Sequence, residues 1–321
     1  MYRFAGRAFT PFSTLGLFTL VFALGCGGIP GNGLSGNAGT GTTPSTVPVV
    51  QRVAIITLEN ANYTDVIGTQ NMPYLNSLIP KGALVPHYYA NTHPSLPNYF
   101  ILTTGMALTN DDGFNQTVTT DNAARSLTAA SKTWKVYAES IPSAGYLGGD
   151  NGFYLQHHNP FVYFSDVKQS TTLASNIVPF TQLPTDLKAS TLPNYLFIVP
   201  NASDDAHSCL DGTVTSCSQS SRLQRADTWL QTNIAPLLAN PAFAQSGLLI
   251  ITFDESADEI TNGGGHVVTL LLGTHVKSGY AGTIQQYDHR SLLSLTLNAV
   301  SVTNVPNSAD SAPQMNEFFN P

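Results

Sequence analysis

Four apolar segments rich in β-branched residues constrain the fold of this 321-residue chain more than any other feature of its sequence. They lie at residues 53–58, 195–199, 248–253 and 267–272. Each is continuous rather than alternating, as in strands that are covered on both faces in a parallel sheet. Helical patterns lie at 96–104, before Gly105, and at 222–239, where we expect Pro236 to bend or end the helix. This alternation predicts an α/β fold, a three-layer α/β/α sandwich with a mainly parallel central sheet.

Carboxylate, amide and imidazole side chains follow three of these predicted strands shortly after each strand ends. The residues are Glu59, Asn60, Asp205, His207, Asp254 and Glu255. A single acid after a strand is usually a helix cap or a turn residue, but parallel strands end at one edge of the sheet. We therefore expect a polar cluster at that edge. Oxygen ligands with imidazole suit a divalent metal such as Zn, Mg, Mn or Fe.

The charge composition excludes two classes of protein. Thirteen Lys and Arg against twenty Asp and Glu give a net charge of −7 with His neutral. This acidic balance argues against a protein that binds nucleic acid through a basic surface. Charged residues are only 10% of the chain and aromatic residues are another 10%, which argues against a disordered chain. We expect a folded domain with a large core and no nucleic-acid partner.

Residues 1–25 have the pattern of a secretory signal. Arg3 and Arg7 form a short basic start, and an apolar segment follows at 14–24. That segment is shorter than the roughly 20 apolar residues that a membrane-spanning helix needs. The sequence therefore predicts export, with a simple membrane anchor as the alternative.

The end of this signal predicts a lipid anchor. The sequence Ala-Leu-Gly-Cys at Cys26 resembles a bacterial lipobox, although Ala23 stands where Leu is usual. We expect Cys26 to be lipidated, residues 26–50 to form a flexible Gly, Ser, Thr and Pro linker, and residues 51–321 to fold. This predicts a lipoprotein anchored to a bacterial membrane, periplasmic or at the cell surface. An ordinary signal that is cut nearby is the alternative.

Two further cysteines, Cys209 and Cys217, lie eight residues apart in a polar segment. In an oxidising compartment this spacing favours a local disulfide. The alternative is a pair of thiols that contribute to a metal site, although no CxxC motif lies nearby. We predict the disulfide.

Residues 92–99, Thr-His-Pro-Ser-Leu-Pro-Asn-Tyr, suggest a reactive hydroxyl at the start of a helix. Ser95 is placed to be the N-cap, and Pro97 suits the first turn. Backbone N–H groups and the helix dipole favour an anion there, and Asn98 adds an amide donor. A hydroxyl next to a metal can lose its proton and attack phosphorus. The local sequence leaves open that Ser95 only caps the helix.

Six further motifs, in order, resemble those of the bacterial phosphoesterase family, and so does the segment around Ser95. They lie at residues 58–60, 134–139, 158–164, 200–208, 250–255 and 287–293. The family includes acid phosphatases and phosphocholine-type phospholipases C, within the alkaline phosphatase-like superfamily. The resemblance extends over about residues 51–300. It implies an alkaline phosphatase-like fold, a divalent metal ion and a phosphate-ester substrate.

The resemblance also implies roles for individual residues. Ser95 would be the nucleophile that forms a phosphoserine intermediate. The residues implied around the catalytic metal are Glu59, Asn60, Ser95, Asp254 and Glu255. Those implied at a second metal or at the substrate phosphate are Asp205, His207 and His289. His158 and Asn159 would line the pocket, Asn98 would hold a phosphoryl oxygen, and His266 fits the family pattern only loosely.

Two departures from the family pattern leave details open. Ser208 stands where the family often has Asp, and Asp204 where it often has Asn, so the metal preference or the substrate can differ. Glu59-Asn60 replaces the Asp that is common in the wider superfamily, which leaves open whether one or two metals bind.

Four function hypotheses follow. The chain lacks the long C-terminal extension of many family phospholipases C, so we expect a phosphomonoesterase, an acid phosphatase, with a phospholipase C-type phosphodiesterase as the alternative. A serine esterase is disfavoured because no G-x-S-x-G motif occurs. A non-catalytic surface-binding lipoprotein is disfavoured because the nucleophile and ligand candidates are present.

The remaining histidines have less specific predictions. His87 and His275 are expected to be surface or packing residues. His93 lies two residues before Ser95, and its sequence position leaves a structural role and a pocket role equally open. His157 is expected to point away from its neighbour His158.

Overall fold

A sheet of eight strands runs through residues 47–320, the part of the chain that the computed structural model describes. The strands are β1 Arg52–Leu58, β2 Ala83–Leu84, β3 Trp134–Ala138, β4 Ile177–Pro179, β5 Tyr195–Val199, β6 Gly247–Phe253, β7 Thr269–Gly273 and β8 Tyr280–Ala281. Their order across the sheet is β4-β3-β5-β1-β6-β7-β2-β8. The predicted signal sequence, Cys26 and the linker up to residue 46 lie outside the described residues.

The sheet is mainly parallel, as predicted, with one reversed strand. The five neighbours from β4 to β6 all pair in parallel. Strand β7 runs antiparallel to both β6 and β2. The prediction that the segment at 267–272 is a parallel strand is therefore wrong in its direction. A continuous apolar run fits a strand of either direction when both faces of the sheet are covered.

Helices cover both faces of this sheet. The α-helices are α1 Tyr63–Val66, α2 Pro73–Leu78, α3 Ser95–Thr104, α4 Ala123–Ala129, α5 Ser165–Lys168, α6 Thr171–Ala174, α7 Gln182–Ala189, α8 Gln219–Ala239, α9 Pro241–Ala244 and α10 His289–Ala299. Consecutive strand residues point to opposite faces, and nearly every residue of β1 and β6 is buried. Helix α3 packs against α10, and α2 packs against α8. This is the predicted α/β/α sandwich.

The helix ends agree with the sequence in part. Helix α3 ends at Gly105, which has the left-handed φ of 80° that glycine adopts at no steric cost. Its N-cap is Pro94, so the prediction that Ser95 caps the helix is wrong. Helix α8 begins at Gln219 and contains Pro236 in its last turn. None of the helices found within residues 47–320 is long and apolar enough to cross a bilayer.

The register of the central strands determines which side chains meet at the carboxyl edge. Strands β1 and β6 pair residue by residue up to Leu58 and Phe253, the last residue of each strand. Glu59 and Asp254 therefore leave the sheet side by side. The N–H of Asp254 donates to the carbonyl oxygen of Leu58 at 2.9 Å, which continues the pairing by one step.

The predicted disulfide between Cys209 and Cys217 is confirmed. It closes the polar segment between β5 and α8, which follows directly after His207. Both sulfur atoms are used in this bond, so the alternative of two free thiols at a metal site does not apply.

Candidate active site

The hydroxyl of Ser95 points at the first acid of the carboxyl edge. Ser95 Oγ donates a hydrogen bond to Glu59 Oε2 at 3.0 Å. Tyr99 donates its hydroxyl to the other oxygen of Glu59. Tyr99 was not among the predicted site residues, although positions i and i+4 of a helix share a face and Tyr99 follows Ser95 by four. Both oxygens of this buried carboxylate are thus held by the first turns of α3.

Asn60 connects the two acids that follow β6. Its backbone N–H donates to Asp254 Oδ1 at 3.2 Å, and its side-chain Nδ2 donates to Glu255 Oε1 at 2.7 Å. The φ of Asn60 is 48°, in the left-handed region that Asn tolerates better than most residues. This turn brings Glu59, Asn60, Asp254 and Glu255 together, as the parallel strands predicted.

Asp205 joins the same group from the segment after β5. Its carbonyl oxygen accepts the N–H of Glu59 at 2.7 Å, and its Oδ1 accepts the N–H of His207 at 2.8 Å. The intervening Ala206 has a φ of 88°, which costs on the order of 1 kcal/mol for a non-glycine residue. His158 lies between the acids, 3.5 Å from both Glu59 Oε1 and Asp205 Oδ2.

The four carboxylates, Glu59, Asp205, Asp254 and Glu255, have only histidines as ion-pair partners within residues 47–320. These histidines are His93 and His158. Burial raises the pKa of all four acids, and the charge of a neighbouring acid raises each of them further. Burial raises the pKa of Glu255 to about 8. The chain has concentrated acidic groups here without supplying the cations that would keep them ionised.

Two further histidines lie at this site: His93, which precedes Ser95 by two residues, and His157, which precedes His158. His93 Nδ1 is 3.0 Å from Glu255 Oε2, and its Nε2 is 2.9 Å from the carbonyl oxygen of Glu259. His93 therefore contacts the acid group, and both of its ring nitrogens have partners within the protein. The prediction that His157 points away from His158 is wrong, because the two rings pack edge to face with centroids 4.4 Å apart.

Asn98 has protein partners at both ends of its amide. Its Oδ1 accepts the backbone N–H groups of Asn91 and Thr92 at 3.2 and 3.3 Å. Its Nδ2 donates to the carbonyl oxygen of Thr92 at 2.8 Å and lies 3.3 Å from Glu255 Oε2. Asn98 therefore holds the segment that leads into Ser95, which differs from the expected contact with a phosphoryl oxygen.

His289 supports the site from behind rather than facing it. Its Nε2 lies 2.6 Å from the carbonyl oxygen of Asp254, so this nitrogen must carry the hydrogen. Its Nδ1 then accepts the hydroxyl of Tyr88 at 2.8 Å. Burial lowers the pKa of His289 to about 4, and the ring is neutral. Both ring nitrogens are used by the protein, which differs from the expected contact with metal or phosphate.

The sequence of the chain matches a known protein family. The sequence model of the Phosphoesterase family matches residues 62–302, from just after Asn60 to beyond His289. The chain belongs to the Phosphoesterase family. It is 32% identical over 256 residues to a phosphatidylinositol-3-phosphatase of Mycobacterium tuberculosis, across 79% of either chain. It is 29% identical over 302 residues to a probable acid phosphatase of Kluyveromyces lactis, across 84% of this chain and 67% of that protein.

Solved structures agree on the fold of this phosphoesterase. A protein in the alkaline phosphatase superfamily from Vibrio parahaemolyticus superposes with a TM-score of 0.58 at 13% identity. The match covers 81% of this chain and 68% of that chain. The predicted alkaline phosphatase-like fold is confirmed. Together with the phosphatases among its relatives, the family identifies the protein as a phosphoric ester hydrolase.

Two residues that were predicted for the phosphoesterase pocket lie around its acids. The ring of His207 is half-buried, and burial and the charge of Arg222 lower its pKa to about 4. Asn159 is fully buried, donates to the hydroxyl of Tyr154 at 3.3 Å, and leaves its Oδ1 without a hydrogen-bond partner. Neither side chain is hydrogen-bonded to Ser95.

His266, the loosely fitting candidate, has a packing role. Its ring stacks on Tyr63 with centroids 4.2 Å apart, and on Tyr89 at 5.0 Å. Its Nε2 lies 2.7 Å from the carbonyl oxygen of Pro86. These contacts tie α1 to the segment after β2. Nε2 is directed at Pro86 and not at the carboxylates.

Proposed function

We propose that this phosphoesterase is a metal-dependent phosphomonoesterase that acts through a phosphoserine at Ser95. The observation that carries the proposal is the hydrogen bond from Ser95 Oγ to Glu59, within a group of buried acids that the chain does not neutralise. A hydroxyl at the first turn of a ten-residue helix also faces backbone N–H groups that attract a phosphoryl group.

The donor set fits a hard divalent cation. Asn60 Oδ1 and Asp254 Oδ2 are buried oxygen atoms without a hydrogen-bond partner. Within residues 47–320 no three His, Cys, Asp or Glu side chains are arranged to hold an ion by themselves, so amide and hydroxyl oxygens complete the set. Buried carboxylates without basic partners are costly unless a cation joins them. The residues that would hold it are Glu59, Asn60, Ser95, Asp254 and Glu255.

The reaction then follows from the positions of the side chains. A bound cation would supply Lewis-acid stabilisation of charge on the phosphoryl oxygens. Glu59 Oε2 accepts the hydrogen bond of Ser95 Oγ and takes its proton as that oxygen attacks phosphorus. The bond from phosphorus to the ester oxygen breaks, the alcohol leaves with a proton from water or from a histidine such as His93, and Ser95 carries the phosphoryl group. Water then attacks phosphorus and gives a proton back to that donor, phosphate leaves, and Glu59 returns its proton to Ser95 Oγ.

A monoester substrate agrees best with the relatives. Two of these relatives, of which the match covers 79% and 67%, are named phosphatidylinositol-3-phosphatase and probable acid phosphatase. The test compares rates on p-nitrophenyl phosphate, bis-p-nitrophenyl phosphate and phosphatidylcholine. We expect the first to be hydrolysed fastest. Preference for either diester would favour the phospholipase C-type alternative.

The substitution Ser95→Ala tests the nucleophile. We expect hydrolysis of p-nitrophenyl phosphate to fall by about 10³-fold or more, because the other hydroxyl bonded to Glu59, that of Tyr99, is buried in the core. Ser126→Ala is the matched control, since Ser126 is a buried helical serine of α4. The control should retain its rate. Retained activity in Ser95→Ala, with a native circular dichroism spectrum, would refute the proposal.

We also propose that the enzyme is exported and anchored through Cys26, which lies outside the described residues. The disulfide between Cys209 and Cys217 supports an oxidising compartment. The test is expression in a bacterium that is fed a radiolabelled fatty acid. We expect label on the wild-type protein and none on Cys26→Ser. A wild-type protein without label would contradict the anchor.

A further inference from the structure

A carboxylate from a distant loop occupies the N-terminus of the helix that carries Ser95. Asp112 Oδ1 accepts the backbone N–H of Leu96 at 2.8 Å. Leu96 directly follows Ser95 in the first turn of α3, and its N–H is one of the donors that have no partner within the helix. The carboxylate of Asp112 therefore occupies the Leu96 N–H, which would otherwise be available to an anionic ligand.

The donor at Leu96 belongs to a region that is built for a ligand. Ser95 Oγ is one residue away, and the buried Asp254 Oδ2 and His158 Nε2 in the same acid group have no hydrogen-bond partner. A phosphoryl group on Ser95 would place its oxygens beside this N–H. The oxygen of Asp112 and a phosphoryl oxygen thus require the same hydrogen bond.

The charge of Asp112 also acts on other groups at this end of the sheet. These groups are Glu255, His157 and His207. Burial is the largest influence on the pKa of each, and the negative charge of Asp112 raises each pKa in addition. The side chain of Asp112 is half-buried, so water screens this charge only in part. Asp112 therefore contributes to the electrostatic field that an incoming phosphate dianion meets.

The loop that carries Asp112 is held in place close by. The ring of Phe114 packs edge to face on Phe100 with centroids 5.8 Å apart, and the N–H of Val118 donates to the carbonyl oxygen of Tyr163 at 2.8 Å. The loop is therefore packed against the domain, and we expect rotation of the Asp112 side chain, without movement of the loop, to release Leu96.

On the basis of the proposed function, we infer that Asp112 is an internal competitor for the phosphoryl group. Its carboxylate occupies the helix N-terminus between turnovers, leaves when a substrate binds, and returns as phosphate departs. It lowers the affinity for free phosphate and so favours release of the product. Asp112 is in this sense a specificity-determining residue. It disfavours inorganic phosphate more than a phosphate ester, because the ester gains additional binding energy from contacts of its leaving group.

The experiment measures phosphate affinity in the metal-loaded enzyme. The variants are Asp112→Asn, which removes the charge but keeps an oxygen for Leu96, and Asp112→Ala, which removes both. Asp111→Asn is the matched control, because Asp111 is exposed in the same loop and bonds only within it, to the N–H of Gly113 at 2.8 Å. The readouts are the competitive inhibition constant of inorganic phosphate, its dissociation constant by calorimetry, and kcat.

We expect phosphate to bind at least about tenfold more tightly to Asp112→Asn, equivalent to about 1.4 kcal/mol. Asp112→Ala should bind it more tightly still, and slower release of phosphate should lower kcat in both Asp112 variants, while Asp111→Asn matches the wild type in phosphate affinity and in kcat. If Asp112→Ala does not fold, Asp112→Asn decides alone, since it retains the oxygen that caps the helix.

Unchanged phosphate affinity in Asp112→Asn would overturn the inference and leave Asp112 a structural cap. A large loss of kcat without tighter phosphate binding would overturn it as well, because Asp112 would then be a proton donor. Failure of the proposed function is a separate result. It would appear as a wild-type enzyme that hydrolyses no phosphomonoester, or as full activity in Ser95→Ala.

Discussion

Two regions of the molecule bury carboxylates in opposite ways. Asp186 on α7 is buried and accepts hydrogen bonds from Lys135 Nζ at 2.6 Å, Tyr137 OH at 2.7 Å and Gln182 Nε2 at 3.0 Å. Burial raises its pKa, but these donors outweigh burial, so the pKa lies below its usual range. The protein itself supplies the hydrogen-bond donors and the positive charge that stabilise this carboxylate.

The acids at the carboxyl edge receive far less. Asp254 is fully buried, keeps one oxygen without a hydrogen-bond partner, and lies beside Glu59 and Glu255. Burial and the charge of Glu255 raise its pKa. Because a buried charge is costly unless paired, these unpaired acids support the proposed cation site. Both regions bury their carboxylates. They differ in the hydrogen-bond and ion-pair partners that the protein supplies to those carboxylates.

The largest expected effect of this difference is on catalysis. Asp254→Asn should lower the rate on p-nitrophenyl phosphate by about 10³-fold, because it removes charge from the proposed cation site. The free energy of unfolding of the metal-free protein should be unchanged or higher, since an unpaired buried charge is lost. Initial rates and urea denaturation measure the two effects. A variant that is less stable but fully active would reverse the comparison.

Metal binding should distinguish the regions next. A divalent cation added to metal-stripped wild-type protein should raise its Tm, because a ligand at about 100 times its Kd stabilises the folded state by about 2.7 kcal/mol. Asp254→Asn should lose most of this shift, and Asp186→Asn should keep it. Differential scanning fluorimetry with each metal in turn measures it. Equal shifts in all three proteins would mean that the cation binds elsewhere.

At Asp186 we expect the opposite pattern. Asp186→Asn should lower the free energy of unfolding by about 1.5–3 kcal/mol, the usual range for hydrogen bonds to a charged group. The value of kcat/KM should stay within about twofold, since Asp186 is not part of the acid group around Ser95. Urea denaturation and steady-state kinetics test this. A large loss of activity at full stability would place Asp186 in the catalytic machinery.

The smallest expected effect is the pH dependence of the stability difference between the wild type and Asp186→Asn. The pKa of Asp186 is lower in the folded than in the unfolded protein, so its contribution to stability is present above the unfolded pKa of about 3.9. The contribution is lost as the pH falls through the folded pKa. The difference in unfolding free energy between wild type and Asp186→Asn should thus narrow below about pH 4. A difference that widens on acidification would contradict this sign.

The sequence predicted the acid group well, because parallel strands share an edge. Glu59 and Asp254 each follow a buried strand, and the register of β1 and β6 places them side by side. The direction of β7 was not predictable, since its apolar residues fit either direction. The N-cap prediction for Ser95 failed for a related reason: the partner of its hydroxyl is Glu59, which lies 36 residues earlier in the chain.

The supporting contacts were the hardest to predict. Asp112 lies in a polar loop with no periodicity, and its partner Leu96 is 16 residues away. His289 is on a recognisable motif, but only the fold shows that it contacts the backbone of Asp254. Side-chain identity therefore indicated the chemistry of the site, whereas long-range packing determined which polar groups face a ligand and which face the protein.

The most direct test of the central claim is to trap the enzyme during turnover. Metal-loaded enzyme is mixed with a phosphomonoester, quenched in acid within one turnover, digested, and analysed by mass spectrometry. We predict a phosphoryl group on Ser95 in the wild type and none in Ser95→Ala. Rapid turnover with an unmodified Ser95, or with the phosphoryl group on another residue, would contradict the claim.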